Sequence, residues 1–100
     1  MQIEFSEIAK QTLRDQIIFL ETIWSNREIV ILLQDIRRVS NNLKNGQFNL
    51  YQKYSKDIRS ALIGKKHVRM FFRKENDSQI KVLLFFDMRQ DPQKILGLLQ

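Results

Sequence analysis

Two helices are predicted in the first half of the chain from the spacing of its apolar residues. A short alternating segment at Ile3 and Phe5 precedes Ser6, a typical N-cap residue. Apolar residues then recur every three or four positions on two stretches: Ala9, Leu13, Ile17, Leu20 and Trp24, followed by Ile29, Leu32, Leu33, Ile36, Val39 and Leu43. The capping box Ser25-Asn26-Arg27-Glu28 separates the stretches, and Asn45-Gly46 ends the second. The pattern predicts an antiparallel helical hairpin with almost no loop.

Three strands are predicted in the second half, after a polar connection over residues 47–57. They span Ile58–Ile63, Val68–Lys74 and Gln79–Met88, and the short turns between them force antiparallel neighbours. The last strand is apolar from residue 80 to 86 except at Lys81, which predicts burial on both faces. Strand alternation places Arg69, Phe71 and Arg73 on one face and Val68, Met70 and Phe72 on the other.

These elements predict a single α+β domain over residues 1–100, with the order β-α-α-β-β-β. In this fold the helical hairpin packs on an antiparallel sheet, and a short C-terminal helix follows from about Pro92, because proline suits the first helical position. Trp24 and Phe86 are expected to be buried where the hairpin meets the sheet.

The distribution of charge adds a prediction about binding partners, because the whole net charge of +6 lies in the second half. Residues 1–45 carry six basic and six acidic residues, whereas residues 46–100 carry eleven basic and five acidic ones. Residues 53–74 hold eight of those cations, opposed only by Asp57. This asymmetry indicates an acidic or polyanionic partner at one face, although a solvated surface gives the same composition.

Several kinds of chemistry are excluded or disfavoured by the residues that the chain lacks. It has no cysteine and one histidine, so we expect no zinc site and no cofactor. Its three glycines form no phosphate-binding loop. No segment has the length and composition of a signal peptide or a membrane span, so we expect a soluble cytoplasmic protein with no membrane partner. Asp87 and Asp91 flank Arg89, which indicates an ion pair or a helix cap.

The order and content of these elements resemble the RelE/ParE superfamily of type II toxin–antitoxin toxins over essentially the whole chain. The resemblance includes Ile3-Glu4-Phe5-Ser6 at the start, the helical hairpin, and the strands from Ile58 onwards. The ending Phe-Asp-x-Arg-Gln-Asp-Pro-x-Lys, from Phe86 to Lys94, is the most specific element and resembles a ParE-like branch. It implies a growth-inhibiting toxin that a cognate acidic antitoxin neutralises in a hetero-oligomer.

The superfamily contains two kinds of toxin, and the resemblance has different implications for each. RelE-like members are metal-independent endoribonucleases that cut mRNA in the ribosomal A site, and by that resemblance Arg69 and Arg89 match the catalytic arginines. The family's C-terminal tyrosine would fall near Ile95, which cannot transfer a proton, and His67 is not well placed to replace it. ParE-like members inhibit DNA gyrase by binding. We therefore favour a binding toxin, with the endoribonuclease as one alternative and a basic nucleic-acid-binding domain as another.

Two candidate surfaces follow from this interpretation. The target-binding candidates are basic residues of the second half: Arg59, Lys65, Lys66, Arg69, Arg73 and Arg89. The antitoxin-binding candidates are large apolar residues that fall off the main apolar faces of the two helices: Ile8, Ile18, Phe19 and Ile31. An acidic amphipathic segment that folds on binding would suit both surfaces.

Overall fold

A computed structural model of the protein describes residues 1–23, 26–90 and 93–99. The elements in chain order are β1 (Gln2–Phe5), α1 (Glu7–Ile23), α2 (Asn26–Lys44), a 3₁₀ turn (Phe48–Leu50), β2 (Gln52–Lys53), β3 (Ile58–Ile63), β4 (Val68–Asn76), β5 (Gln79–Asp87) and α3 (Gln93–Leu98). The predicted α+β class and element order are confirmed. The 3₁₀ turn and β2 lie in the connection over residues 47–57, where neither was predicted.

The strands form one five-stranded sheet in the order β1-β5-β4-β3-β2. β1 runs parallel to β5, and the other neighbouring strands are antiparallel, so the sheet is mixed rather than wholly antiparallel. The parallel pair arises because the chain leaves β1 at once for α1 and returns to its side only with the last strand. β5 has one extra residue, Leu83, opposite the Phe71–Phe72 step of β4.

The helical hairpin covers one face of the sheet and forms the main core there. Its buried members include Leu20 from α1, Leu32 from α2, and Met70 and Phe72 from β4. On the opposite face a smaller buried cluster contains Phe71, Leu84 and Phe86, against which Ile58, Leu83 and Leu99 pack. The central strands β4 and β5 are therefore buried on both sides, as predicted for residues 80–86.

The residues at the start of α1 and after the end of α2 adopt the capping conformations that their types favour. The Ser6 hydroxyl accepts a hydrogen bond from the Ala9 N–H at 3.0 Å, and it donates to the Leu83 carbonyl at 2.9 Å. The predicted N-cap is thus confirmed, and it also joins α1 to β5. Gly46 has a φ of 81°, the left-handed conformation in which glycine commonly ends a helix.

Two of the predicted core positions need correction, and a third lies outside the described residues. Leu33 is 45% exposed, because the apolar stripe of α2 is narrower than the sequence suggests. Phe86 is buried as predicted, but it lies on the face away from the hairpin, because it belongs to the smaller cluster. Trp24 and the Ser25 cap lie outside the described residues.

Candidate functional site

The corner after β5 is organised by a paired carboxylate and guanidinium. The Asp87 side chain is only 7% exposed. Its Oδ1 accepts hydrogen bonds at 2.9 Å from both the backbone N–H and the Nε of Arg89, while Arg89 Nη2 donates to Oδ2. This pairing confirms the ion pair predicted around Arg89; Asp91 lies outside the described residues.

Electrostatics hold both members of this pair in their charged forms. The hydrogen bonds from Arg89 lower the pKa of Asp87 below its ordinary value, although partial burial opposes that shift. The hydrogen bond with Asp87 raises the pKa of Arg89. Neither group is therefore poised to exchange a proton near neutral pH. The arrangement fits a fixed corner of the fold better than an acid–base site.

Residues of α1 approach the same corner from the side. Gln16 is buried, and its Nε2 donates to Asp87 Oδ2 at 3.4 Å. The Cζ of Arg89 lies 5.1 Å from the ring centroid of Phe19, within the range of a cation–π contact. A cleft of about 490 Å³ opens between these side chains. Sequence reasoning missed Gln16, although its spacing of three from Leu13 and four from Leu20 places this polar residue on the apolar face of the helix.

The turn from β3 to β4 lies beside this corner, because the Met88 N–H donates to the His67 carbonyl at 2.8 Å. Lys65 and Lys66 have φ angles of 56° and 69°, and the His67 N–H donates to the Gly64 carbonyl at 3.1 Å. These are features of a type I′ turn, whose two central positions favour Asn-Gly. Each lysine in a left-handed conformation costs about 1–2 kcal/mol. The structure thus brings Lys65, Lys66 and Arg89 to one end of the sheet.

Arg69 and Arg73 lie on the sheet face opposite the helices, as predicted from alternation. Arg69 Nη1 donates to Gln52 Oε1 at 3.0 Å and to Ser60 Oγ at 2.8 Å, so it spans β4, β3 and β2. Arg73 forms an ion pair with Glu75 at 3.1 Å. Arg73 is also directly opposite Lys81 of β5 in the strand register.

Arg59 is separated from these cations, although the sequence placed it in the same target-binding set. It is directly opposite Phe72 in the register, on the helix side of the sheet. Its Nη1 donates to the Tyr51 carbonyl at 2.9 Å, and its Cζ lies 5.4 Å from the ring centroid of Phe48. Because neighbouring strand residues face opposite sides, Arg59 lies on the other face from the adjacent Ser60. It secures the connection before β3.

The two tyrosines of the connection before β3 are engaged within the fold. The Tyr51 hydroxyl accepts a hydrogen bond from Asn42 Nδ2 at 2.9 Å, on the helix side. The Tyr54 ring packs edge-on against Phe71, with 5.0 Å between the centroids. Position 95 falls within α3. The hydrogen-bond partners of Arg69 are an amide and a hydroxyl, neither of which titrates near neutral pH.

The four antitoxin-binding candidates differ in how far they are exposed on the hairpin. Ile8, Ile18 and Phe19 are exposed, and Ile18 is the most exposed of the three at 61%. Ile31 differs, because it is half-buried. Sequence reasoning missed Ile23 and Val30, which are also exposed on the hairpin.

No protein-family model matches the chain, and no curated protein matches it. Among the described residues, histidines and carboxylates form no group of three or more that could hold a metal ion. Within the same residues, no helix has both the length and the apolar character needed to cross a membrane.

Proposed function

We propose that the protein is the toxin of a type II toxin–antitoxin module of the RelE/ParE superfamily. It inhibits growth by binding a macromolecular target, with DNA gyrase as the favoured target, and it acts in the cytoplasm. A cognate acidic antitoxin neutralises it in a hetero-oligomer. The order of strands and helices and the Phe86–Lys94 ending support the class, and the basic sheet face supports a binding surface.

The observation that carries the choice of binder over nuclease is the hydrogen bonding of Arg89. Three donors of this residue, including its backbone N–H, are directed at Asp87. A guanidinium held in this way positions the chain after β5, and neither Asp87 nor Arg89 exchanges a proton near neutral pH. Arg69, by contrast, is presented on the open sheet face by Ser60 and Gln52. It is the arginine that we expect to contact the target.

The proposal is tested by expression and by a purified gyrase assay. Induction of the protein alone should arrest growth, and co-expression with a small acidic partner should relieve the arrest. The purified protein should block supercoiling by DNA gyrase. Arg69→Gln should weaken that inhibition, while Arg37→Gln, which removes one exposed charge from α2, should not. Unimpaired growth and supercoiling with the folded wild-type protein would refute the proposal.

A further inference from the structure

The Lys65–Lys66 turn keeps two lysines where the backbone favours other residues. Both have positive φ angles, and bulky residues rarely adopt this conformation. Asn-Gly at these two positions would satisfy the same turn without strain. Nothing in the hydrogen bonding of the turn requires a lysine at position 66. Backbone strain retained at an exposed site points to a role for the side chains themselves.

The turn is also held firmly against the rest of the molecule. The Gly64 N–H donates to Asp35 Oδ2 of α2 at 2.9 Å. A Cβ at position 64 would lie 3.1 Å from Leu32 Cδ1, so the backbone there packs closely on α2. Lys65 Nζ lies 3.5 Å from Glu28 Oε1, which draws this lysine towards α2. These interactions present Lys66 and its neighbour at a fixed position, because the turn cannot move away from α2 without breaking them.

We propose that this turn contacts the phosphodiester backbone of a nucleic acid. The ammonium group of lysine is a compact point charge that pairs with phosphate without reading sequence. Arg69 follows the turn on β4 and lies on the open sheet face, so a third cation is close to the two lysines along the chain. A row of phosphates can meet several of these charges at once, and polyglutamate represents the competing ligand, a row of carboxylates. This inference does not depend on the toxin proposal, since it concerns a ligand of the turn alone.

Binding isotherms at several salt concentrations test the proposal directly. The probes are a fluorescent duplex DNA, a single-stranded RNA of the same length, and polyglutamate as a carboxylate polyanion. Wild type should bind both nucleic acids and discriminate against polyglutamate. On duplex DNA, Lys65→Gln with Lys66→Gln should reduce the slope of log affinity against log salt by about 1.8, which is 0.9 for each phosphate that the variant no longer neutralises. A duplex preference over RNA, or the reverse, would identify the source of the phosphates.

Two further double variants separate charge position from net charge and from strain. Lys10→Gln with Lys44→Gln removes the same charge from the helices and should leave the salt slope nearly unchanged. Lys65→Asn with Lys66→Gly should reduce the slope as much as the glutamine pair does, yet its melting temperature should rise by several degrees as the strain is relieved.

Four results would each overturn the proposal. In the first two, either turn variant keeps the wild-type salt slope, or the helix control loses as much of the slope as the turn variants do. In the other two, wild type binds polyglutamate as tightly as it binds nucleic acid, or it binds no nucleic acid.

Discussion

The two faces of the sheet use their arginines differently. On the helix side, Arg59 lies against Phe48 and donates to the Tyr51 carbonyl, so its charge is used within the fold. On the opposite face, Arg69 is held by Gln52 and Ser60 but faces outward over a much smaller buried cluster. The helix-side face therefore accounts for most of the buried core, and the opposite face presents charge.

This difference shows that a count of cations does not define a binding surface. Arg59 and Arg69 have the same chemistry and lie on neighbouring strands, but their positions in the register assign them to different faces. Arg89 is different again, because Asp87 fixes it at the corner after β5. A single outward-facing position can therefore matter more than the total charge.

The largest expected effect comes from comparing the two buried phenylalanines of β4. Phe72 belongs to the main core and contacts Phe48 and Tyr51 edge-on, whereas Phe71 contacts Tyr54 on the other face. Phe72→Ala should cost about 3–5 kcal/mol of unfolding free energy, and Phe71→Ala should fall at the lower end of that range. Urea denaturation of the two variants measures both. A greater destabilisation by Phe71→Ala would contradict the assignment of the main core to the helix side.

A second prediction contrasts Arg59 with Arg73. Arg59→Gln should lower the unfolding free energy by about 1.5–3 kcal/mol, because a charged hydrogen bond to the Tyr51 carbonyl is removed. Arg73→Gln should change it by less than about 1 kcal/mol, since Arg73 pairs with Glu75 near the surface. The same denaturation assay applies to both. Equal effects would show that the sheet face does not determine the role of the arginine.

The fold was largely predictable because its signals are local. Apolar spacing and the Ser6 cap define the helices, and alternation in β4 correctly separates Arg69 from Met70. The parallel pairing of β1 with β5 was not predictable in this way, because it depends on contacts between opposite ends of the chain. The face on which Arg59 lies also depends on the strand register. The left-handed backbone of Lys65 and Lys66 was not predictable either, because lysine rarely adopts this conformation. The sequence therefore named candidate residues without placing them relative to one another, and their role in binding a target stays a prediction.

The third prediction concerns the pH dependence of the Asp87–Arg89 corner. The pKa of Asp87 is lower in the folded protein than its ordinary value, so its ionised form adds stability above pH 4 or so. That stability is lost as the pH falls through the folded pKa. Asp87→Asn should therefore lower the unfolding free energy by about 1 kcal/mol at neutral pH and by less in acid. The value is kept small because Arg89 is partly exposed and solvent screens the pair.

Matched denaturation curves at neutral and acidic pH measure this effect. Asp77→Asn is the control, because Asp77 is fully exposed and lies 4.0 Å from its lysine partner. Its unfolding free energy should match that of wild type at both pH values. If the unfolding free energies of Asp87→Asn and wild type differ by the same amount at both pH values, the ionisation of Asp87 does not stabilise the corner.

The smallest expected effect is on the hairpin surface. Ile18→Ser should change the unfolding free energy by no more than about 0.5 kcal/mol, because the side chain is largely exposed. Ile31→Ser should cost more, since Ile31 is half-buried. If a partner covers this surface, Ile18→Ser should weaken rescue by that partner without weakening toxicity. A destabilised Ile18→Ser protein would indicate that this residue belongs to the core instead.

We propose that the cations of this protein bind a target and position the chain, and that they do not cleave RNA. The most direct measurement is to add the purified protein to a translating extract built from purified components and to map mRNA ends by primer extension. The preparation must first show a cooperative thermal unfolding transition, so that unfolded protein is excluded without presupposing either activity. We expect no new mRNA ends, because Asp87 holds Arg89 in a charged pair, and the side chains that hold Arg69, Gln52 and Ser60, are not acid–base groups. Cuts that recur at codon spacing would contradict the claim and favour the endoribonuclease.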